Sequence, residues 1–294
     1  MIDGVLLLNK PVGLTSNTAL QKAKRLLNAQ KAGHTGTLDP FADGLLPLCY
    51  GEATKFSHYL LDADKTYHAV MRLGVTTTTG DPEGDIVQTC PVTIDCNDVR
   101  LAMAGYIGEI EQIPPMHSAL KHQGRPLYEY ARAGVAIHRP PRRIRIHSLD
   151  LIDCALPQIS FKVRCSSGTY IRSLAQDIGA TLGCGAHLTA LTRTESGAFR
   201  LKDAWTLESL EALHPQERTG PLLPSDCLVR HLPAIQLGPA DRLSLCQGRS
   251  FASAFTPCPL VRVYDMEQRF LGLAHVDTDG RVAAQRLINT ANVT

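Results

Sequence analysis

The 294-residue chain can bury a sizeable core and carry a small second domain, and its 44% apolar, 20% charged composition excludes disordered and low-complexity classes. A formal net charge of +2 permits contact with nucleic acid without arguing for it. Nine scattered cysteines with no CxxC pair read as reduced thiols of a cytosolic protein, and no apolar run approaches membrane-spanning length.

"GVLLLNKP" (4–11) predicts a short buried strand stopped by Pro11. Its apolar run is too short, and too poor in preceding basic residues, for a signal peptide. "TSNTALQKAKRLLNA" (15–29) predicts a helix capped by Ser16 or Asn17, with Ala19, Leu20, Ala23, Leu26 and Leu27 on one face. After a Gly/Thr/Pro loop, "GLLPLCYG" (44–51) reads as a buried strand and "EATKFSHYLLDA" (52–63) as a helix with Ala53, Phe56 and Leu60 inward. "KTYHAVMRLG" (65–74) alternates, with Tyr67, Ala69, Met71 and Leu73 on one face, and predicts a strand. Further strands are expected at 86–90, 107–113, 116–122, 142–153 and 158–168, the last with Ile159, Phe161, Val163 and Cys165 inward. "TYIRSLAQDIGATLG" (169–183) predicts a helix capped by Thr169 and ended by Gly183. "TLESLEALHP" (206–215) is helix-like, and a boundary near 228–232 divides the chain into domains 1–228 and 229–294. Beyond it come strands at 260–265, 269–277 and 281–288, the last two joined by the turn "DTDG". From Arg230 onward the segment has seven arginines, no lysine and five acids, a slightly basic β domain. Strands outnumber helices without alternating with them, so the fold class is α+β with a mixed, mainly antiparallel sheet.

Several residues could carry chemistry. Asp39 precedes Pro40 in "TGTLDP", where a turn carboxylate that satisfies backbone N–H groups is the commoner reading. A catalytic acid on a rigid loop is the sharper one. Tyr67 lies on an apolar strand face, so packing competes with lining a cleft. Arg172 falls in a helix's first turn, where the dipole is already positive, and so calls for an anionic partner, protein carboxylate or phosphate. In "RRIRI", Arg143 and Arg145 share one face opposite Ile144 and Ile146, which suits phosphate contacts or a charged, solvated strand equally well. His117 and His122 lack the acids or thiols that would complete a metal site. No P-loop, dinucleotide GxGxxG or GxSxG elbow is present.

Taken in order, "LLLNKPVGLTS" (6–16), "KAGHTGTLDPFADGLLPLCYGEATKFSHYLLDADKTY" (31–67), "IPPMHSALKHQGRPLYEYAR" (113–132) and "SGTYIRSLAQDIGATLGCGAHLTALTR" (167–193) resemble the bacterial tRNA pseudouridine-55 synthases of the TruB type. The C-terminal "LVRVYDMEQRFLGLAHVD" resembles, more weakly, a PUA domain, a small RNA-binding β-barrel. The resemblance implies the pseudouridine synthase fold, a bent and mainly antiparallel sheet flanked by helices. It implies isomerisation of the T-loop uridine of tRNA by base flipping, with no metal or cofactor, no guide RNA and no protein partner, by a monomer in the cytoplasm.

It also implies roles for single residues. Asp39 matches the catalytic aspartate, Tyr67 the tyrosine that stacks on the target base, and Arg172 the arginine that pairs with the aspartate. Tyr170 and Leu191 match pocket residues, His34 the histidine that fills space vacated in the T loop, and Lys10 a supporting lysine. Arg143 and Arg145 are expected on the shared RNA surface. Asp43 is read as structural. Two positions depart from the family: Thr78 stands where an aspartate is usual, and His117 where a tyrosine is usual. The first places any polar network through position 78 in question.

Overall fold

A computed structural model describes residues 2–289, so position 1 and positions 290–294 of the two expected domains lie outside the described residues. The chain begins β1 (Gly4–Lys10), α1 (Ser16–Leu26), β2 (Ala32–His34), β3 (Asp43–Tyr50), α2 (His58–Leu61), β4 (Lys65–Leu73), β5 (Val75–Thr77) and β6 (Ile86–Thr89). It continues with α3 (Cys96–Ala104), β7 (Gly108–Gln112), β8 (Lys121–His122), β9 (Arg125–Pro126), α4 (Leu127–Arg132), β10 (Arg142–Ala155) and β11 (Gln158–Cys165). Then come α5 (Ile171–Thr181), β12 (Ala186–Ser196), β13 (Phe199–Arg200) and α6 (Leu207–Ala212). The last stretch holds β14 (Ala234–Gln236), α7 (Pro239–Cys246), β15 (Phe251–Ala252), β16 (Cys258–Tyr264), β17 (Phe270–Val276) and β18 (Arg281–Leu287).

The large sheet runs β1-β3-β12-β4-β11-β10-β7, with β2 on β3 and β13 on β12. β12 pairs parallel with β3 and antiparallel with β4, so the sheet is mixed and mainly antiparallel, as expected. Strict alternation explains its middle. Tyr67, Ala69, Met71 and Leu73 on β4 meet Ile159, Phe161, Val163 and Cys165 on β11 across one buried face. Each fully buried large apolar side chain there contributes roughly 1.5–3 kcal/mol. Against that face α5 packs Ile171, Leu174, Ala175 and Ile178, and α1 packs Ala19, Leu20 and Ala23 into the same core.

Local expectations needed correction at five places. Thr15, not Ser16 or Asn17, caps α1, its side chain accepting from Thr18 N. Thr169 does not cap α5; its hydroxyl donates to Ser166 O, and the helix starts after Tyr170. Residues 52–63 form a 3-10 turn and the four-residue α2, because Gly51 at φ +53° begins a tight turn rather than a helix. Most of 116–122 is irregular, its backbone turning at Met116–Ser118 before β8. Cys96 and Cys154 form a disulfide, contrary to the expectation of reduced thiols. α3 packs on β10 and brings their Cα atoms to 6.0 Å, a juxtaposition hidden by 58 residues of separation.

The C-terminal sheet runs β14-β16-β17-β18-β15, adding β14, β15 and α7 to the three strands expected. The "DTDG" turn is held by Asp277, whose carboxylate accepts from Asp279 N and Arg281 N. Phe270 meets Phe56 edge-on at 5.3 Å, worth about 1 kcal/mol beyond area burial. Lys55 Nζ donates to Leu287 O at 2.9 Å beside it, so this sheet is docked on the segment between β3 and β4. No helix among the described residues is long and apolar enough to cross a membrane.

Candidate active site

The loop between β2 and β3 is pinned by hydrogen bonds at several points along its length. Thr35 is buried and its N–H donates to Pro47 O. Arg193 on β12, 1% exposed, donates to Gly36 O, Thr37 O and Leu45 O. Ala42 N–H donates to Asp39 O, and Gly13 N–H to Pro40 O. Lys10 stands behind the preceding turn, fully buried, donating to Pro11 O and Leu14 O. Burial pulls its ammonium down to about 8, with Asp43 and Asp39 opposing. Gly44 sits at φ +100° against the Arg193 backbone, where a Cβ would collide with it. The loop is therefore a rigid platform, and Asp39 stands on it.

Arg172 answers the question raised by a cation at a helix N-terminus. Its Nε lies 3.0 Å from Asp39 Oδ2 and its Nη2 donates to Asp39 Oδ1 at 3.4 Å. Nη1 lies 3.2 Å from Asp81 Oδ2 and donates to Thr79 O, while Nη2 also donates to His117 O. The guanidinium thus combines hydrogen bonds to Asp39, Thr79 O and His117 O with ion pairs to both Asp39 and Asp81. The side chain is 4% exposed, Asp81 3% and Asp39 34%, so one arginine joins a buried carboxylate to one that opens on solvent. Burial raises the Asp39 carboxyl above its ordinary 3.8, Arg172 pulls it back, and the second carboxylate of Asp81 adds to the rise.

A cavity of about 340 Å³ opens beside Asp39, lined also by Tyr67, Tyr170, Leu191, Lys65 and Arg193. Tyr67 and Arg193 are register partners across β4 and β12. Burial pushes the Tyr67 phenol above its usual 10, against the pull of the Arg193 charge, and burial likewise raises Tyr170. Gln112, 2% exposed, holds Tyr170 by both backbone groups, accepting from its N–H at 2.8 Å and donating to its carbonyl at 3.0 Å. That clip takes the place of a side-chain cap on α5.

The structure therefore brings Asp39, Tyr67, Tyr170, Arg172 and Leu191 together. His34 ends β2 at the start of the same loop, half-buried, with burial lowering its imidazole pKa. Asp43 opens β3 opposite Thr192 and takes no part in the Arg172 pairing. Arg143 and Arg145 are not brought to the cavity. Ile146 is opposite Cys165, which is opposite Lys65, so Arg142, Ile144 and Ile146, ahead of the register shift at Ser148, share the Tyr67 face and Arg143 and Arg145 lie on the other. They face Glu111 and Glu109 across β7, and Arg145 Nη1 is 3.6 Å from Glu109. Arg142 is the β10 arginine on the cavity side.

Sequence reasoning missed Asp81 and Arg193. Asp81 sits in "TTTTGDPEG", which reads as a turn. The anionic partner sought for Arg172 was the available signal. Both departures from the family lose their force here. Thr78 closes its loop on Asp85 through its N–H and hydroxyl, while Asp81 carries the network. His117 serves Arg172 through its backbone carbonyl, which any side chain supplies.

Family models match nearly the whole chain: "TruB family pseudouridylate synthase (N terminal domain)" over residues 24–171, "tRNA pseudouridylate synthase B C-terminal domain" over 172–230, and "Pseudouridine synthase II TruB, C-terminal" over 233–288. A tRNA pseudouridine synthase B of Thiobacillus denitrificans is 64% identical over 289 residues, covering 98% of this chain and 97% of that protein. One of Aromatoleum aromaticum is 54% identical, covering 99% and 94%. Among solved structures, a chain of an H/ACA RNP bound to a substrate RNA containing 2′-deoxyuridine superposes with a TM-score of 0.72 at 25% identity, covering 98% of this chain and 86% of that one. A chain of a Cbf5-Nop10-Gar1 complex gives 0.72 at 27%, covering 97% and 84%. With its sheet, its platform loop and its paired Asp39 and Arg172, this chain belongs to the TruB family of pseudouridylate synthases.

Proposed function

We propose that the chain isomerises the T-loop uridine of cytoplasmic tRNA to pseudouridine, acting as a monomer without guide RNA or protein partner. The observation that carries this reading is the Asp39 carboxylate, held on both oxygens by Arg172 at the edge of a cavity that fits one nucleoside. The N1–C1′ bond must break, the uracil must turn while held, and C5 must bond to C1′. The base keeps all its atoms, losing a proton at C5 and gaining one at N1, so no net redox change arises. Asp39 attacks at the sugar, as carboxylates do in other glycosyl chemistry. Tyr67, Tyr170 and Leu191 enclose the flipped base; extrusion costs a few kcal/mol, recovered by stacking and phosphate contacts. Tyr67 acts as a neutral phenol, since burial moves it away from ionisation. His34 fills the space that the base leaves, and Arg143, Arg145 and the segment 229–294 read the arm outside the cavity by shape and charge.

Position-resolved pseudouridine mapping of unmodified tRNA transcripts, treated with the protein alone, tests the assignment. Conversion of the T-loop uridine without added RNA is expected; conversion solely in the presence of a guide RNA would overturn it. The pH profile gives a second expected result. Asp39 works ionised and its pKa is raised, so kcat/KM falls as pH drops through a value above 3.8. An acid limb at or below the ordinary aspartate value would contradict the burial described.

A further inference from the structure

Ser16 begins α1 but does not cap it, because Thr15 already accepts from Thr18 N at 3.0 Å. Its hydroxyl is instead turned inward, 2% exposed, to a residue 22 positions away. There it accepts from Leu38 N–H at 2.8 Å and donates to Leu38 O at 3.0 Å, in the manner of a strand partner. Leu38 is itself 3% exposed and directly precedes Asp39. Arg193 holds Gly36 and Thr37, and backbone groups hold Asp39 and Pro40. Ser16 secures the peptide that aims the carboxylate.

We propose that Ser16 is a positioning residue for the isomerisation: by gripping both backbone groups of Leu38 it sets where the Asp39 carboxylate meets Arg172 and the substrate. This rests on the reading of Asp39 as the attacking carboxylate. α1 is a rigid mount for the hydroxyl, since Ala19, Leu20 and Ala23 are packed into the core. Without the hydroxyl, a buried N–H and a buried carbonyl lose their partner and the loop must shift to find others. A displacement near 1 Å at a reacting group costs about 10²-fold in rate.

The test compares Ser16→Ala, Ser16→Cys and Thr15→Ala by kcat, KM for tRNA and pH profile, at a temperature where circular dichroism shows every variant folded. Both Ser16 variants are expected to lose roughly 10- to 100-fold in kcat with KM within about twofold. Their acid limb is expected at higher pH, because Asp39 has lost part of the Arg172 charge. Cysteine keeps the volume, so an equal loss there assigns the effect to hydrogen bonding. Thr15→Ala is expected to melt earlier with kcat and acid limb unchanged. Wild-type kcat and acid limb in either Ser16 variant, or an equal kcat loss in Thr15→Ala, would overturn the proposal. Turnover retained by Asp39→Asn would remove the parent reading; an inert Asp39→Asn beside an unaffected Ser16→Ala removes the positioning role alone.

Discussion

Asp39→Asn is expected to lower turnover by more than about 10⁴-fold while leaving the fold at least as stable as the parent. On the proposed mechanism the rate loss follows from replacing an ionised nucleophile by an isosteric amide that cannot form the glycosyl bond. The stability result follows from the sign of the shift. Burial and Asp81 raise the Asp39 carboxyl in the folded state, so folding favours the protonated form. The ionised group therefore costs stability, a cost that sets in as pH rises from the ordinary 3.8 through the folded-state value. A neutral amide removes that cost at pH 7. Arg172 is not orphaned, because Asp81, Thr79 O and His117 O remain. Thermal melting beside the activity assay checks both halves; a clear fall in melting temperature would show that Asp39 is structural.

Arg172→Leu is expected to damage both properties. It leaves Asp81, 3% exposed, as a buried carboxylate without its cation, and strips the donors from Thr79 O and His117 O. Loss of one partner from a buried pair costs about 3–5 kcal/mol, and turnover should fall by more than about 10³-fold as Asp39 loses its orientation. Arg172→Lys should recover little, because one ammonium cannot reach two carboxylates and two carbonyls with a planar fork. Adding Asp81→Asn to Arg172→Leu is expected to return part of the stability and none of the activity, read by urea unfolding as a double-mutant cycle. The same effect of Asp81→Asn on stability in the parent and in Arg172→Leu would show that Asp81 and Arg172 are not coupled.

Much of this site was legible because ordered motifs placed Asp39, Tyr67, Tyr170, Arg172 and Leu191 in one family, while local pattern alone favoured a turn acid at 39. β4 and β11 were readable from clean alternation. β12 was not, although it lies at the centre of the sheet. Register shifts between Leu188 and Ala190 and between Arg193 and Glu195 break the period of two, so its inward positions do not alternate. Arg193 was hidden with it, since an arginine in "LTRTES" looks solvated until β3 and the platform loop close over it. Asp81 was hidden by a turn-like surrounding that α5 buries from outside. Arg143 and Arg145, expected on the wider RNA surface, pose a different question. Periodicity told which residues share a face, but the pairing of β10 with β11 decides which face meets the cavity.

The most direct test of the central claim is single-turnover release of tritium from C5-tritiated uridine in unmodified tRNA, with parent and Asp39→Asn protein side by side and no guide RNA. The account predicts full release by the parent and none above background by Asp39→Asn, although both bind the tRNA. Release by Asp39→Asn at a rate near the parent's would contradict the assignment of the chemistry to this carboxylate.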